Sequence, residues 1–290
     1  MKVGAWILAA RPKTLPAAIA PVLVGTALAA HNGVFDLAPA LICLAFALLI
    51  QIGTNFANDY FDFVQGADTK ERIGPTRAVA AGLVSPDAMR IAMIIVLSLA
   101  FIVGLSLVYW GGLWLVVIGI VSIICAVAYT GGPYPLGYNG LGDIFVFIFF
   151  GLIAVGFTYY VQAGAFSHVA WLLGAGVGAL STNLLVVNNY RDLETDRVAG
   201  KRTLVVRWGR KAAWRQYIIS VMLALGIPVG LALSGFGWAL LLPLGMAPLG
   251  ILLCVLLQRA QTRDDFQLVL AQTAKLLLFY SGLLSVGLVL

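Results

Sequence analysis

The stretch APALICLAFALLIQIGTNFANDYFD, residues 38–62, carries no charge until Asp59 and then ends on two carboxylates beside an amide. At about 100° per helical residue, offsets of 4 and 7 bring Asn55, Asp59 and Asp62 within roughly 60° of one another. The reading is a membrane-crossing helix whose polar end carries a one-sided acidic stripe. Half a chain later the pattern returns in NNYRDLETD (188–196), where offsets of 4 and 8 confine Asn188, Asp192 and Asp196 to roughly 80°. Carboxylates next to hydrocarbon are expensive, so two such ends call for a function.

The rest of the chain agrees with a membrane setting. Its 290 residues are 61% hydrophobic and 10% charged, with a mean hydropathy of +0.99, far from a soluble globular domain. A spanning helix needs about 20 mostly apolar residues. Nine stretches offer that, near 15–33, 38–62, 88–109, 112–130, 140–162, 168–190, 213–234, 237–258 and 271–290. Apolar runs this long lack the alternation of a barrel strand. The expectation is an all-α membrane protein of nine transmembrane helices, forming one domain over 1–290 because no polar linker or low-complexity stretch divides it. Trp6 to Ala10 is too short an apolar run before Arg11, Pro12 and Lys13 to read as a cleavable signal, so the first span is expected to be retained.

With nine spans, all 18 Lys and Arg residues fall on one face of the membrane. The positive-inside rule makes that face cytoplasmic, with the N-terminus inside, the C-terminus outside and the polar site opening to the cytoplasm. The net charge of +6 is explained by anionic lipid and an anionic substrate, with no nucleic-acid partner. Cys43, Cys125 and Cys254 fall inside spans without metal-ligand spacing and read as small core residues. Gly-rich 174–183 and the Pro-containing 241–250 read as close helix packing and kinks.

Seven of the twelve acids, Asp59, Asp62, Asp68, Glu71, Asp192, Glu194 and Asp196, belong to the two motif regions. Carboxylates presented from two helices suit Mg²⁺, a hard ion that takes a few protein oxygens and leaves positions for substrate phosphates. Two Mg²⁺ ions bridging a diphosphate between the stripes would neutralise charge on a departing group, and the flanking Arg and Lys would serve the same anion. Asn55 and Asn188 read as neutral ligands or orienters at the deeper ends. His31 and His168 fall in predicted external loops, and neither a Ser or Cys nucleophile motif nor a P-loop is present. A transporter using the acids for a coupling cation is the alternative of another class, but acids gathered at helix ends on one side favour a site open to the cytoplasm. A structural or assembly protein is a third reading.

These motifs resemble the UbiA-type superfamily of intramembrane aromatic prenyltransferases, with its NxxxDxx(x)D motif after one helix and a related DxxxD motif half a chain later. Four runs look most like its 1,4-dihydroxy-2-naphthoate branch: RPKTLPAAIAPVLVG (11–25), NDYFDFVQGAD (58–68), YTGGPYPLGYNGLGD (129–143) and NNYRDLETDRVAGKRTL (188–204). The 4-hydroxybenzoate branch typically carries Tyr-Pro-x-x-Lys-Arg after the fourth helix, whereas here Thr-Gly-Gly-Pro follows Tyr129.

The resemblance implies a polyprenyl diphosphate donor, a bicyclic aromatic acid acceptor, membrane lipid around the chain, Mg²⁺, and a central cavity capped by cytoplasmic loops in the cell (inner) membrane. By it, Asp59, Asp62, Asp192 and Asp196 hold Mg²⁺ and diphosphate, with Asn55 and Asn188 assisting and Asp68 as a further acid. Arg72, Arg77, Lys201 and Arg202 contact the diphosphate, and Arg11 and Lys13 hold either that group or the acceptor carboxylate. Tyr129 and Tyr138 face the acceptor, while Asp143 orients substrate or caps a helix. The Phe and Tyr residues of 145–160 are candidates to stabilise an allylic cation, and a lateral opening lets the tail lie in the bilayer. Within the same reaction class, 4-hydroxybenzoate, homogentisate or a non-aromatic lipid remain alternative acceptors.

Overall fold

The computed structural model describes residues 3–67, 74 and 76–290. Asp68 and Arg72, both singled out above, lie outside the described residues. The described chain is all-α: α1 (Val3–Ala10), α2 (Pro16–His31), α3 (Leu37–Val64), α4 (Pro86–Leu105), α5 (Val108–Gly111), α6 (Leu115–Ala128), α7 (Gly142–Phe147), α8 (Ala154–Ala163), α9 (His168–Arg191), α10 (Leu193–Val198), α11 (Leu204–Leu231), α12 (Ala247–Arg259) and α13 (Arg263–Val289). A π-turn segment over Ile148–Ile153 joins α7 to α8, and a 3₁₀ stretch, Trp238–Met246, leads into α12.

Seven of these helical units are long and apolar enough to cross a membrane, and an eighth is obtained if α1 and α2 count as one bent span. The stretch expected as a span at 112–130 forms α6, a helix of 14 residues. That is about 21 Å of helix against a hydrocarbon thickness of about 30 Å. Gly112 (φ 84°) starts the chain's turn into α6, and the Gly- and Pro-rich loop after Tyr129 ends it.

The segment Val3–Thr14 meets α2 at 50°, and within that segment Arg11 takes a φ of 51°, unique among described non-glycine residues. Pro12 disfavours the right-handed helical region for the residue before it, and Pro16 starts α2 at a position where a missing N–H costs nothing. Other helices start on side-chain caps: Asp36 accepts from the Ala38 N–H, Ser85 from Ala88, Ser167 from Val169, and Thr262 with Asp265 forms a capping box.

The helix α9 is the axis of the bundle. In its most apolar window 78% of residues are buried, against 22–56% in the other spans. Its composition explains this, because Gly174 and Gly178 face Gly151 of the π segment with almost no room between. A Cβ on Gly151 would stand 2.5 Å from the Gly174 carbonyl oxygen and 2.6 Å from the Gly178 Cα. Small residues replace the missing hydrophobic drive between helices in lipid with close backbone packing. Around α9 one core joins α2, α8, α11, α12 and α13. A second core joins α1, α3 and α4 to the segment around Ala78–Val84. Between the two lies a cavity of about 790 Å³, while exposed Ile91, Ile95, Ile102, Ile219, Met222 and Leu233 form an apolar outer surface.

Candidate active site

The two acidic ends meet at one end of the cavity, and they are built differently. In the first, α3 runs unbroken through Asp62. Asn55, Asn58 and Asp62 line the cavity. Asp59, on the opposite edge of the stripe, turns away: its two carboxylate oxygens accept from the backbone N–H groups of Ala78 (3.0 Å) and Val79 (3.2 Å). That clamp brings in Arg77, whose guanidinium donates to Asp62 Oδ2 at 2.5 Å. The placement of Asp59 thus differs from the ligand position expected of it. Buried carboxylates with no partner are costly, and Asp59 meets that demand with a loop backbone.

In the second end the continuous stripe expected for 188, 192 and 196 is broken. Helix α9 stops at Arg191, and Asp192 (φ −88°, ψ 8°) stands between α9 and the short α10. A carboxylate is unfavourable at a helix C-terminus and favourable at the next N-terminus. The adjacent Arg191, 2% exposed, settles the balance with a two-point grip on Asp192, 2.7 Å for each bond. After α10, Gly200 takes φ 73°, its N–H bonds to the Arg197 carbonyl, and the Lys201 N–H returns to the Asp196 carbonyl at 2.9 Å. This left-handed helix ending sets the Lys201 side chain beside Asp196.

Lys201 joins the two ends. Its Nζ lies 3.5 Å from Asp62 Oδ1 and 3.5 Å from Asp196 Oδ1, and 4.4 Å from the centre of the Tyr138 ring. The Tyr138 hydroxyl donates to Asp62 Oδ1 at 2.5 Å. The 129–141 loop that carries Tyr138 is held down by the Arg202 N–H on the Tyr138 carbonyl (2.6 Å) and by Arg207, which donates to the Asn139 and Arg202 carbonyls. Beside it, desolvation together with the carboxylates of Asp143, Asp62 and Asp196 holds the Tyr129 phenol well above its usual range, so it faces the cavity as a neutral hydroxyl.

The other sequence candidates divide. Arg11, Lys13, Arg77, Tyr129, Tyr138, Asn188 and Lys201 line the cavity. Asn55 lines it too, but its amide donates to the Ala10 carbonyl and Thr14 Oγ1, which ties α3 to the N-terminal bend. The Asn188 amide donates to Leu184 of its own helix. The Arg202 side chain, expected on the diphosphate, is exposed and outside the cavity lining, and its backbone makes the bond to Tyr138 described above. Asp143 is outside the lining as well and accepts from Gln216, tying α7 to α11. Of the aromatic candidates, Phe145, Phe149, Phe150 and Phe157 line the cavity, while Tyr159 bonds Asn32 and Tyr160 joins an aromatic group with Trp114 and Phe166.

Sequence reasoning missed Asn58, Asn189, Arg191 and Arg263, all on the cavity wall. Asn58 sits four residues before Asp62, the same-face offset that singled out Asn55 and Asp59. Arg191 stands next to Asp192 in the chain, and that adjacency is the signal that marks it.

Among the described residues, no group of three or more His, Cys, Asp and Glu side chains is placed to hold a metal by itself. The cavity end does offer hard oxygen donors from two directions, Asp62 on one side and Asp192 and Asp196 on the other. A cationic group, Lys201, already lies within reach of one carboxylate from each. A divalent cation that completes its shell with substrate oxygens fits this arrangement. Away from the acids the wall becomes apolar, with Val22, Phe46, Leu115, Ile118, Phe149 and Phe157.

Residues 18–283 match the UbiA prenyltransferase family. The chain is 41% identical to a 1,4-dihydroxy-2-naphthoate octaprenyltransferase of Escherichia coli (strain K12), over 82% of this chain and 80% of that one. It is 35% identical to the protein of the same description from Haemophilus influenzae, over 100% and 97%. Among solved structures, a UbiA homolog from Archaeoglobus fulgidus bound to DMAPP and Mg²⁺ superposes with a TM-score of 0.62 at 15% identity, covering 97% of this chain and 99% of that one. The fold, the paired acidic ends and these likenesses agree: the chain belongs to the UbiA prenyltransferase family, an integral membrane enzyme that transfers prenyl groups.

Proposed function

We propose that the protein transfers a polyprenyl group from polyprenyl diphosphate to 1,4-dihydroxy-2-naphthoate in a Mg²⁺-dependent reaction, releasing diphosphate and CO₂ and giving demethylmenaquinol. The observation that carries the reading is the two-ended cavity, with acids and bases from both motifs at one end and a phenylalanine-lined wall leading away. The similarity to naphthoate octaprenyltransferases supports the acceptor.

In this reading Asp62, Asp192 and Asp196 hold the metal, with Asn58 and Asn188 as neutral oxygen donors nearby. When bound, Mg²⁺ neutralises charge on the diphosphate and makes it a better leaving group. Arg77, Arg191 and Lys201 face the same anion. Asp59 acts through the loop it clamps, which sets Arg77 in position. The allylic C–O bond breaks and its electron pair leaves with diphosphate. The electron-rich ring then forms the new C–C bond, and loss of its carboxylate as CO₂ returns a bonding pair to the ring. Tyr129 and Tyr138 position the acceptor with their hydroxyls, and Arg11 and Lys13 are suited to its carboxylate. Phe145, Phe149 and Phe157 keep water from the cation and offer it their ring faces.

The tail follows the apolar wall. Helix α6 packs on α3 and α4, and cavity lies between it and the π segment with α8. Trp114, Phe157, Tyr160 and Phe166 close this gap at one end, and the 129–141 loop closes it at the other. A Cβ on Gly119 would meet nothing within 4 Å. We place the lateral exit of the isoprenoid here. With α6 as a short ninth span, the bundle has its N-terminus in the cytoplasm and its C-terminus outside.

The test uses purified protein with Mg²⁺, a radiolabelled polyprenyl diphosphate and carboxyl-labelled 1,4-dihydroxy-2-naphthoate, following lipid product and released CO₂ together. Metal-dependent appearance of both is the expected result. Prenylation of another acid instead overturns the acceptor, and no transfer to any acceptor by folded protein overturns the reading.

A further inference from the structure

We infer that Lys201 is an exchangeable counter-cation: its ammonium holds the two acidic ends together before loading and gives way to the metal as the diphosphate arrives, so that metal and donor bind together. The inference rests on the metal and diphosphate reading above and concerns what this chain's own residues do toward that group.

Three carboxylates face the cavity end, and each has a basic neighbour. The grips differ in kind. Asp62 is held by Arg77 at 2.5 Å and Asp192 by both arms of Arg191 at 2.7 Å. Lys201 stands 3.5 Å from each of its two oxygens. It is therefore the longest of these contacts, and among the described residues it reaches a carboxylate of each motif. Two buried carboxylates brought from separate helices repel each other, and a cation between them relieves that repulsion. A lysine suits a temporary post, because its charge is a single point on a flexible stem, whereas a guanidinium would lock both carboxylates in a planar fork. The Tyr138 face at 4.4 Å gives the ammonium a second point of rest.

A divalent ion entering alone must displace this ammonium into a cavity end already rich in base. Besides the three acids, Arg11, Lys13, Arg77, Arg191, Lys201 and Arg263 line the cavity. A diphosphate entering with the metal gives the displaced ammonium a new partner. Metal alone is therefore disfavoured and metal with diphosphate favoured, a coupling of the ordinary size for linked sites, roughly 5- to 150-fold.

The experiment is calorimetric titration of Mg²⁺ into the purified full-length protein, without and with inorganic pyrophosphate, for wild type, Lys201→Met and Lys201→Arg. Wild type should bind Mg²⁺ at least roughly fivefold tighter when pyrophosphate is present. Lys201→Met should bind Mg²⁺ alone more tightly than wild type by about the same factor and lose most of the pyrophosphate enhancement. Lys201→Arg, which keeps the charge, should bind Mg²⁺ alone more weakly than wild type and serves if the methionine variant does not fold. Unchanged or weakened binding of Mg²⁺ alone by Lys201→Met, or no change in Lys201→Arg, overturns the inference. Wild type that binds no Mg²⁺ even with pyrophosphate overturns the metal reading itself. Neither titration contains the aromatic acceptor, so an error in its identity leaves these outcomes unaffected.

Discussion

The two acidic ends share an Asn and two Asp residues at nearly the same spacing, yet the chain completes them by opposite means. The first is completed from a distance: a straight helix offers its carboxylates, and a segment 15 to 20 residues further on supplies Arg77 and the Ala78 and Val79 N–H groups. The second is completed locally: the helix breaks at Asp192, Arg191 next door pairs with it, and a glycine turn returns Lys201 to Asp196. A shared spacing therefore does not decide which residues face the cavity: the chain that follows turns Asp59 onto a loop backbone and leaves Asp62, Asp192 and Asp196 on the wall. This predicts that equivalent-looking aspartates respond unequally to the same substitution.

The largest effect is expected at the pair that Lys201 spans. Asp62→Asn and Asp196→Asn each remove a carboxylate facing the cavity and should lower kcat/KM by roughly a thousandfold, as loss of a group aimed at developing charge does. Steady-state rates with saturating Mg²⁺ check this. If Asp196→Asn stays within tenfold of wild type, the two ends are not partners in the chemistry.

Asp59→Asn should behave differently from Asp62→Asn. The new amide leaves one of two backbone N–H groups without its acceptor, a cost of about 1–3 kcal/mol. That cost appears as a lower Tm and, through displacement of Arg77, as a raised KM for the donor. A ten- to hundredfold loss of kcat/KM is the expected scale. A loss equal to that of Asp62→Asn with unchanged Tm would make Asp59 a direct ligand and erase the asymmetry.

The corresponding weak point of the second end is Gly200. Its φ of 73° is a conformation that costs a residue with a Cβ roughly 1–2 kcal/mol, and a β-branched one more. Gly200→Val should shift Lys201 from Asp196 and lower kcat/KM by about tenfold. Since only the second end depends on this turn, the contact between Arg77 and Asp62 should be preserved, with a fall in Tm of the same order as for Asp59→Asn.

How much of this was legible before the structure depends on how local the deciding forces are. The apolar runs, the polar residues at their ends and the concentration of acid near base follow from composition and period, and they pointed to a helical membrane enzyme with this site. Three features resisted. The break at Asp192 replaced the stripe assumed for 188, 192 and 196, because periodicity presumes an unbroken helix. The outward turn of Asp59 depends on a loop whose approach no spacing encodes. The shortness of α6 depends on where Gly112 and the 129–141 loop end it, not on hydropathy, which remains high throughout. Asn58 was readable from its offset to Asp62, and Arg191 from standing beside a carboxylate.

The smallest effect, at Arg202, tests whether position in the chain or position in space governs the second end. Arg202 is the sequence neighbour of Lys201 in a basic run, and by spacing alone the two are interchangeable candidates for the diphosphate. In space they are not. The Lys201 ammonium reaches both motifs, whereas the Arg202 side chain is exposed and only its main chain contributes, donating to the Tyr138 carbonyl and accepting from Arg207. Arg202→Ala keeps those backbone bonds, so it should stay within about 0.5 kcal/mol of wild type, as exposed positions do, with kcat/KM within roughly twofold. Arg202→Pro removes the N–H and breaks the bond to Tyr138, so it should impair catalysis where the alanine does not. Comparing the two under the same assay separates a side-chain role from a main-chain one. A large loss in Arg202→Ala would return its guanidinium to the diphosphate and show that the second end reaches further along its own loop than Lys201.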